Sequence, residues 1–237
     1  KTLRAHKVYT MSVITALTAK NPTGVYGVLD AGADFVGQQM DCVFKDIFPD
    51  AVKIGMVSNI ETIQMIAAKL KEYHAKNIVV DPVMVSTSGC ALMQPDAMDT
   101  LISVLLPMGD IITPNIPEAE KLCGFEIKNV EDMKKAAEVI GRNLSGSVLI
   151  KGGHLTETAD DLLYHDGEFM WYRGERVNNP NTHGTGCTLS SAIASNLALG
   201  YDMKTSVQNA KNYITGALKD GLDLGEGSGP LNHCFNL

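Results

Sequence analysis

Short apolar runs alternate along this chain with longer stretches whose apolar residues recur at helical spacing, and few folds accommodate that alternation. Ala51-Val52-Lys53-Ile54-Gly55-Met56, Ile78-Val79-Val80, Asp110-Ile111-Ile112-Thr113 and Val148-Leu149-Ile150 read as strands. Between them, Val36, Met40, Val43, Phe44 and Ile47 mark a helix over 34–48 that Pro49 closes, and Ile63, Ile66, Ala67, Leu70 and Tyr73 mark the next. Ala97, Met98, Leu101, Ile102 and Leu105 form a third apolar face; Met133, Ala136, Ala137, Ile140 and Leu144 form a fourth. A βαβ rhythm of this kind predicts an α/β fold with a mainly parallel sheet and right-handed crossovers.

Other segments extend the pattern. Val8 to Ala19 reads as a buried strand running out at Lys20-Asn21-Pro22-Thr23-Gly24, where ligands bind in open α/β sheets, and Val25 to Leu29 reads as a second short strand. His165-Asp166-Gly167-Glu168 between Leu162-Leu163-Tyr164 and Phe169-Met170-Trp171-Tyr172 predicts a hairpin. A last helix with Val207, Ala210, Tyr213, Ile214, Ala217 and Leu218 closes the chain. With 237 residues, 45% of them hydrophobic, one domain spanning 1–237 has ample core.

Composition removes several function classes. A net charge of −7 and a pI near 5.3 leave no basic patch for nucleic acid. No apolar run approaches the ~20 residues of a membrane span. The five cysteines, Cys42, Cys90, Cys123, Cys187 and Cys234, are widely spaced without a CxxC pair, which suggests neither zinc nor a disulfide framework and points to a reducing, cytoplasmic setting. Small molecules and other copies of the chain remain as partners.

Asn181-Thr182-His183-Gly184-Thr185-Gly186-Cys187-Thr188 carries the strongest chemical signal, because it runs straight into a helical stretch from Leu189 to Gly200. Amides at such a helix start, with Gly184 and Gly186 lacking obstructing side chains, form an anion site. Cys187 then stands at its centre, where a helix N-terminus can lower a thiol's pKa and make it a base. The alternative is a Gly-rich turn capped by Thr185. Four more positions fall at strand ends or helix starts. Asp81 is placed either to cap a turn or to face a ligand or metal. Asn115 and Glu118, three residues apart, either converge on a magnesium–water cluster or serve as a turn residue and a dipole-complementing acid. Lys151 either neutralises a phosphate or is merely solvated.

Taken with Lys53-Ile54-Gly55-Met56, Asp81-Pro82-Val83-Met84, Thr113-Pro114-Asn115-Ile116-Pro117-Glu118, Lys151-Gly152-Gly153-His154 and Gly229-Pro230-Leu231-Asn232-His233, that loop makes the chain resemble the hydroxymethylpyrimidine and phosphomethylpyrimidine kinases of thiamine biosynthesis, in the ribokinase superfamily. The resemblance covers nearly the whole chain and implies a three-layer α/β/α ribokinase-like fold. It implies ATP-dependent phosphorylation of the pyrimidine's hydroxymethyl group and then of the monophosphate, with magnesium. By the same resemblance Gly184, Thr185, Gly186 and Cys187 cradle the transferred phosphoryl group, and Cys187 stands where many relatives carry an aspartate base. Asn115 and Glu118 match the motif that positions magnesium and phosphates, with Asp81 as a further metal candidate and Lys151 on the nucleotide. Met56 and Val83 border the pyrimidine.

The chain departs from the pattern at two places in the substrate pocket. Lys20 replaces the family glutamine that reads the pyrimidine, and Lys7-Val8-Tyr9-Thr10 stands for the usual Gly-Val-Tyr-Gly. The family's first strand and Gly-rich segment are expected to precede Lys1. A pyridoxal kinase and a non-catalytic vitamin-binding regulator are the competing functions, and a homodimer is the expected assembly.

Overall fold

A computed structural model describes residues 1–84, 93–94, 96–154, 159–177, 179 and 183–236. The expected loop over 83–90 lies mostly outside the described residues. In chain order the elements are α1 (Thr2–Ala5), β1 (Ala16–Asn21), β2 (Gly24–Asp30), α2 (Ala33–Asp46), β3 (Val52–Ile54), α3 (Ile60–Glu72) and β4 (Ile78–Val80). There follow α4 (Ala97–Thr100), which continues as a π turn (Leu101–Leu105) and a 3-10 turn (Leu106–Met108), then β5 (Ile111–Ile112), α5 (Ile116–Cys123), α6 (Val130–Gly141) and β6 (Ser147–Ile150). The chain ends in β7 (Asp161–His165), β8 (Glu168–Tyr172), α7 (Thr185–Ala198) and α8 (Met203–Lys219).

Six strands pair in the order β3-β4-β5-β6-β7-β8. β3 to β6 run parallel, and the β7–β8 hairpin adds two antiparallel strands at the far edge. Because side chains alternate across a strand, each strand feeds both faces. Val80, Ile112, Val148, Ile150 and Leu162 pack with Val36, Ile63, Leu70, Leu101, Ala119 and Met133 from α2 to α6. Val79, Ile111, Leu149 and Leu163 pack instead with Leu189, Ile193, Val207 and Ile214 from α7 and α8. Helices therefore cover both faces of a mainly parallel sheet, giving the expected three layers. Short runs such as Ile78-Val79-Val80 are apolar throughout because neither face meets water.

The first expected strand is a correction. Residues 8–14 form no strand, and β1 pairs only with β2, in a separate antiparallel ribbon. Leu17, Tyr26 and Leu29 on it are exposed rather than buried. Two local interactions explain this. Asn21 Oδ1 accepts from the amides of Thr23 and Gly24, at 2.9 and 3.2 Å, so the Asn-Pro-Thr-Gly stretch is a hairpin turn and not a sheet edge. The backbone of Ile14 is met in both directions by the Gln39 amide side chain of α2, which takes the hydrogen bonds a neighbouring strand would need.

Candidate active site

The parallel strands deliver the functional side chains to one edge. Asp81 directly follows β4, Thr113 follows β5 and Lys151 follows β6, and the extended backbones of Asn115 and Lys151 form one further parallel bridge. Opposite them α7 begins at Thr185, four residues earlier than its apolar periodicity indicates. Gly184 takes φ 81, a left-handed conformation that glycine adopts without strain, and among the described residues no side chain caps the helix. Thr185 is therefore inside the helix and does not cap it. The first intrahelical amide is that of Thr188, bonded to Gly184 O at 2.8 Å, so the amides of Thr185, Gly186 and Cys187 precede the ladder.

Between these two rims lies a cavity of about 770 Å³. Asp81, Val83, Asn115, Glu118, Lys151, Gly184, Thr185, Gly186 and Cys187, all expected from the sequence, line it together. A side-chain carbon built on Gly186 would stand 3.1 Å from Lys151 Nζ and 4.0 Å from Asp81 Oδ2, so the missing side chain keeps the helix start in direct reach of the lysine. Lys20 and Met56 are not brought into this cleft. Lys20 is exposed on β1 beside a β-bulge, and Met56 follows β3 with its carbonyl accepting from Thr15 Oγ1 at 3.0 Å.

Asp81 is the electrostatic centre. Its side chain is 2% exposed, and Oδ1 accepts from Lys151 Nζ at 2.9 Å and from Thr113 Oγ1 at 3.2 Å. Oδ2 accepts from Ser190 Oγ at 3.3 Å and pairs with Lys53 Nζ at 3.9 Å. Burial pushes this carboxyl up, but the Lys151 and Lys53 ammoniums together outweigh it and hold the group below its ordinary value. Lys151 answers in kind. Burial pulls its pKa down, while Asp81 and Glu118 raise it further, so the ammonium stays charged.

Asn115 and Glu118 close a capping box on α5. Asn115 Oδ1 accepts from the Glu118 amide at 2.9 Å and Glu118 Oε2 accepts from the Asn115 amide at 2.8 Å. Burial raises the Glu118 pKa against the opposing pull of Lys151 and of the Asn115 and Met84 amides. Cys187 is open to the cleft, yet its thiol hydrogen-bonds to the buried Asp81 carboxylate. Burial raises its pKa first, Lys53 and Lys151 oppose this, and Asp81 adds to it. The helix start therefore does not produce a low-pKa thiol. The thiol is protonated at neutral pH.

Sequence reasoning missed Lys53, Thr113 and Ser190 as members of the cluster. Ser190 had a readable signal, since it lies three residues after Cys187 and shares its helix face. Lys53 had a subtler one. A side-chain carbon on Gly55 would lie 2.5 Å from Lys53 Nζ, so that glycine leaves room for the lysine to fold back along its own strand end.

A family model described as phosphomethylpyrimidine kinase matches residues 1–232. A hydroxymethylpyrimidine/phosphomethylpyrimidine kinase of Rhizobium meliloti is 47% identical over 237 residues, covering 98% of this chain and 89% of its own length. A thiamine biosynthesis bifunctional protein of Geobacter sulfurreducens is 45% identical over 98% of this chain, which spans 48% of that longer protein. Among solved structures, a phosphomethylpyrimidine kinase of Clostridium difficile superposes with a TM-score of 0.82 at 48% identity, covering 90% of this chain and 88% of that one. A Bacillus subtilis pyridoxal kinase in an ADP complex superposes at 0.90 with 34% identity, over 98% and 88% of the two chains.

Proposed function

We propose that this chain, which belongs to the phosphomethylpyrimidine kinase family, transfers the terminal phosphoryl group of ATP to 4-amino-5-hydroxymethyl-2-methylpyrimidine and then to its monophosphate, in thiamine biosynthesis. The observation that carries the reading is the approach of Lys151 to the uncapped first turn of α7 across Gly186. Phosphoryl transfer asks the protein for alignment and charge neutralisation rather than covalent chemistry. The amides of Thr185, Gly186 and Cys187 supply fixed donors for the oxygens of the moving group, and Lys151 supplies a buried positive charge beside them. Asp81 and Thr113 fix where that charge sits.

Among the other lining residues, Pro117, Val177, Leu189, Ile214 and Leu218 offer apolar surface suited to the nucleoside of ATP. No group of three or more His, Cys, Asp or Glu side chains gathers as a metal site among the described residues. Both proposed carboxylates, Asp81 and Glu118, already carry hydrogen bonds from their surroundings. That donor set fits a magnesium ion held mainly by nucleotide phosphates and water, with Asn115 and Glu118 holding its water shell. When bound, magnesium neutralises charge on the phosphates. Val83, at the cleft wall, borders the alcohol.

Cys187 accepts the alcohol proton through its thiolate, a minor form because burial raises the thiol pKa; the protonated thiol has no basic site for a second proton. A loose transition state makes this sufficient, since little nucleophilic push is required. Apolar side chains are exposed on both faces of the ribbon, Leu17 and Leu29 on one and Tyr26 and Val28 on the other, which supports a homodimer built on β1 and β2. Unpaired thiols at Cys42, Cys123, Cys187 and Cys234 support a cytoplasmic setting, and among the described residues no helix is long and apolar enough to cross a membrane.

A coupled assay of ADP release decides the reading, with the pyrimidine alcohol, its monophosphate and pyridoxal offered in parallel. Turnover of the first two with weak turnover of pyridoxal is expected. Preference for pyridoxal would place the chain with the pyridoxal kinases, and ATP-independent binding of the alcohol without turnover would make it a binding protein.

A further inference from the structure

One buried ion pair in the cleft takes no part in the chemistry above. Lys211 of α8 and Asp161 of β7 are 11% and 5% exposed, and Nζ lies 2.7 Å from Oδ2. The same ammonium donates to the carbonyl of Ala159 at 2.8 Å. The other carboxylate oxygen, Oδ1, accepts from the amide of Gly152 at 2.9 Å. Gly152 is the residue after Lys151, and the Lys151 amide is itself held by the carbonyl of Pro114 at 2.9 Å. The peptide carrying the phosphate-facing lysine is therefore gripped on both sides, once from β5's extension and once from α8 through Asp161.

The packing around this grip leaves no slack. A side chain at position 152 would collide with the Asp160 carbonyl, and one at 174 would collide with the Ala159 carbonyl and approach Lys211 Nζ to 2.8 Å. Asp160 Oδ1 meanwhile accepts from the Gly174 amide at 2.8 Å. Burial favours the neutral acid at Asp161, and the facing ammonium and the Gly152 amide oppose it. A hydrophobic pair would fill the same space without hydrogen-bonding the Gly152 amide. What the ionic pair adds is a fixed acceptor aimed at one amide.

We infer that Lys211 is a positioning residue for phosphoryl transfer: through Asp161 and the Gly152 amide it fixes the backbone from which Lys151 reaches Asp81 and the first turn of α7. The inference rests on the kinase reading for its catalytic consequence. A chain of contacts then runs from α8 to the anion site: Lys211, Asp161, Gly152, Lys151, Asp81. The hydrogen bonds of Lys211 Nζ go to Asp161 and to the Ala159 carbonyl, and its removal loosens the lysine that faces the transferred group.

The test compares Lys211→Met and Lys211→Gln with the wild type, the glutamine keeping a donor for the Ala159 carbonyl. At a temperature where both are folded by circular dichroism, kcat is expected to fall about 10²-fold, the scale of a misplacement near 1 Å, while KM for the alcohol stays close to wild type. Lys211→Arg, which keeps the charge, recovers part of the loss. Exchange of the Gly152 amide, read by NMR, is expected to quicken in both neutral variants. A folded variant with wild-type kcat overturns the inference, and so does a loss that only tracks the unfolded fraction. If the wild type itself phosphorylates no alcohol, the kinase reading fails, and unchanged Gly152 exchange then overturns the latch on its own.

Discussion

Gly186→Val tests the anion site most directly. Gly186 is the second residue of α7 and is not among the glycines with positive φ, so valine meets no backbone strain there. Its Cβ would fall 3.1 Å from Lys151 Nζ and 4.0 Å from Lys151 Cε, and the two methyl groups reach further into the space where phosphoryl oxygens meet the first-turn amides. The crowded neighbour is the end of a flexible chain, which yields by a few tenths of an ångström. Replacing a helical glycine by valine also recovers about 0.3 kcal/mol, the difference between their helix propensities. The two effects offset, and stability should stay within about 1 kcal/mol of wild type.

Turnover should not stay. Losing one preorganised donor of this kind costs about 10²–10³-fold in kcat, or about 2.7–4 kcal/mol of transition-state stabilisation. ADP release at saturating alcohol gives kcat, and a thermal melt gives stability. Gly184→Ala is the control, because nothing lies within 4 Å of its added carbon while its φ of 81° imposes strain of about 1–2 kcal/mol. Gly184→Ala should thus lose stability more than Gly186→Val does. A kcat near wild type in Gly186→Val would refute the assignment of these amides to the phosphoryl group.

Cys187→Ala should lower kcat about 10²-fold, the lower range for a general base. Because burial raises the thiol pKa, the thiolate fraction grows as pH climbs from neutrality, so wild-type kcat/KM should rise with pH and the alanine variant should be flat; a flat wild-type profile removes Cys187 from the proton transfer. Lys20→Gln should raise the pKa of His183, which burial and then the Lys20 charge hold down, and an unchanged NMR titration of His183 would mean that Lys20 does not face the 183–188 loop. Asp81→Asn should destabilise the protein by about 3–5 kcal/mol at neutral pH by leaving Lys151 and Lys53 without their shared carboxylate. Since the folded pKa of Asp81 is depressed, its contribution is present above the unfolded value and is lost as pH falls through the folded one, so denaturant melts from neutral to acid pH should show a steeper acid limb in wild type than in the variant.

Much of the fold was legible because local period and tertiary environment agree in its central strands. Ile78-Val79-Val80 and Val148-Leu149-Ile150 are apolar at every position, and both faces of the sheet are indeed covered. The ribbon was misread for the converse reason. Val, Ile and Thr near β1 report a preference for extended backbone, but nothing in that preference says which strand will pair or whether a helix will cover the face. The deciding residues were polar: Asn21, whose side chain closes the hairpin turn, and Gln39, which occupies the Ile14 backbone from 25 residues away. The helix start was misplaced by its periodicity because the first turn of α7 packs nothing apolar. Its boundary is set by the φ of Gly184, which no spacing of hydrophobic residues encodes.

The site was legible in its membership and not in its pairings, and the topology accounts for the difference. Parallel strands joined by right-handed crossovers bring every strand's C-terminal end to one edge, so Asp81, Asn115 and Lys151 had to be neighbours once three strands were recognised. Which acid meets which lysine is decided elsewhere, by how α7 and α8 lie across the second face of the sheet. Ser190 reaches Asp81 across a separation of 109 residues and Lys211 reaches Asp161 across 50, at distances fixed by the seating of Leu189, Ile193, Val207 and Ile214 on Val79, Ile111, Leu149 and Leu163. The charge arrangement is thus a readout of apolar packing. A cavity made in that layer, remote from every phosphate contact, would shift both lysine–carboxylate pairs together, because the same helices carry or brace one member of each.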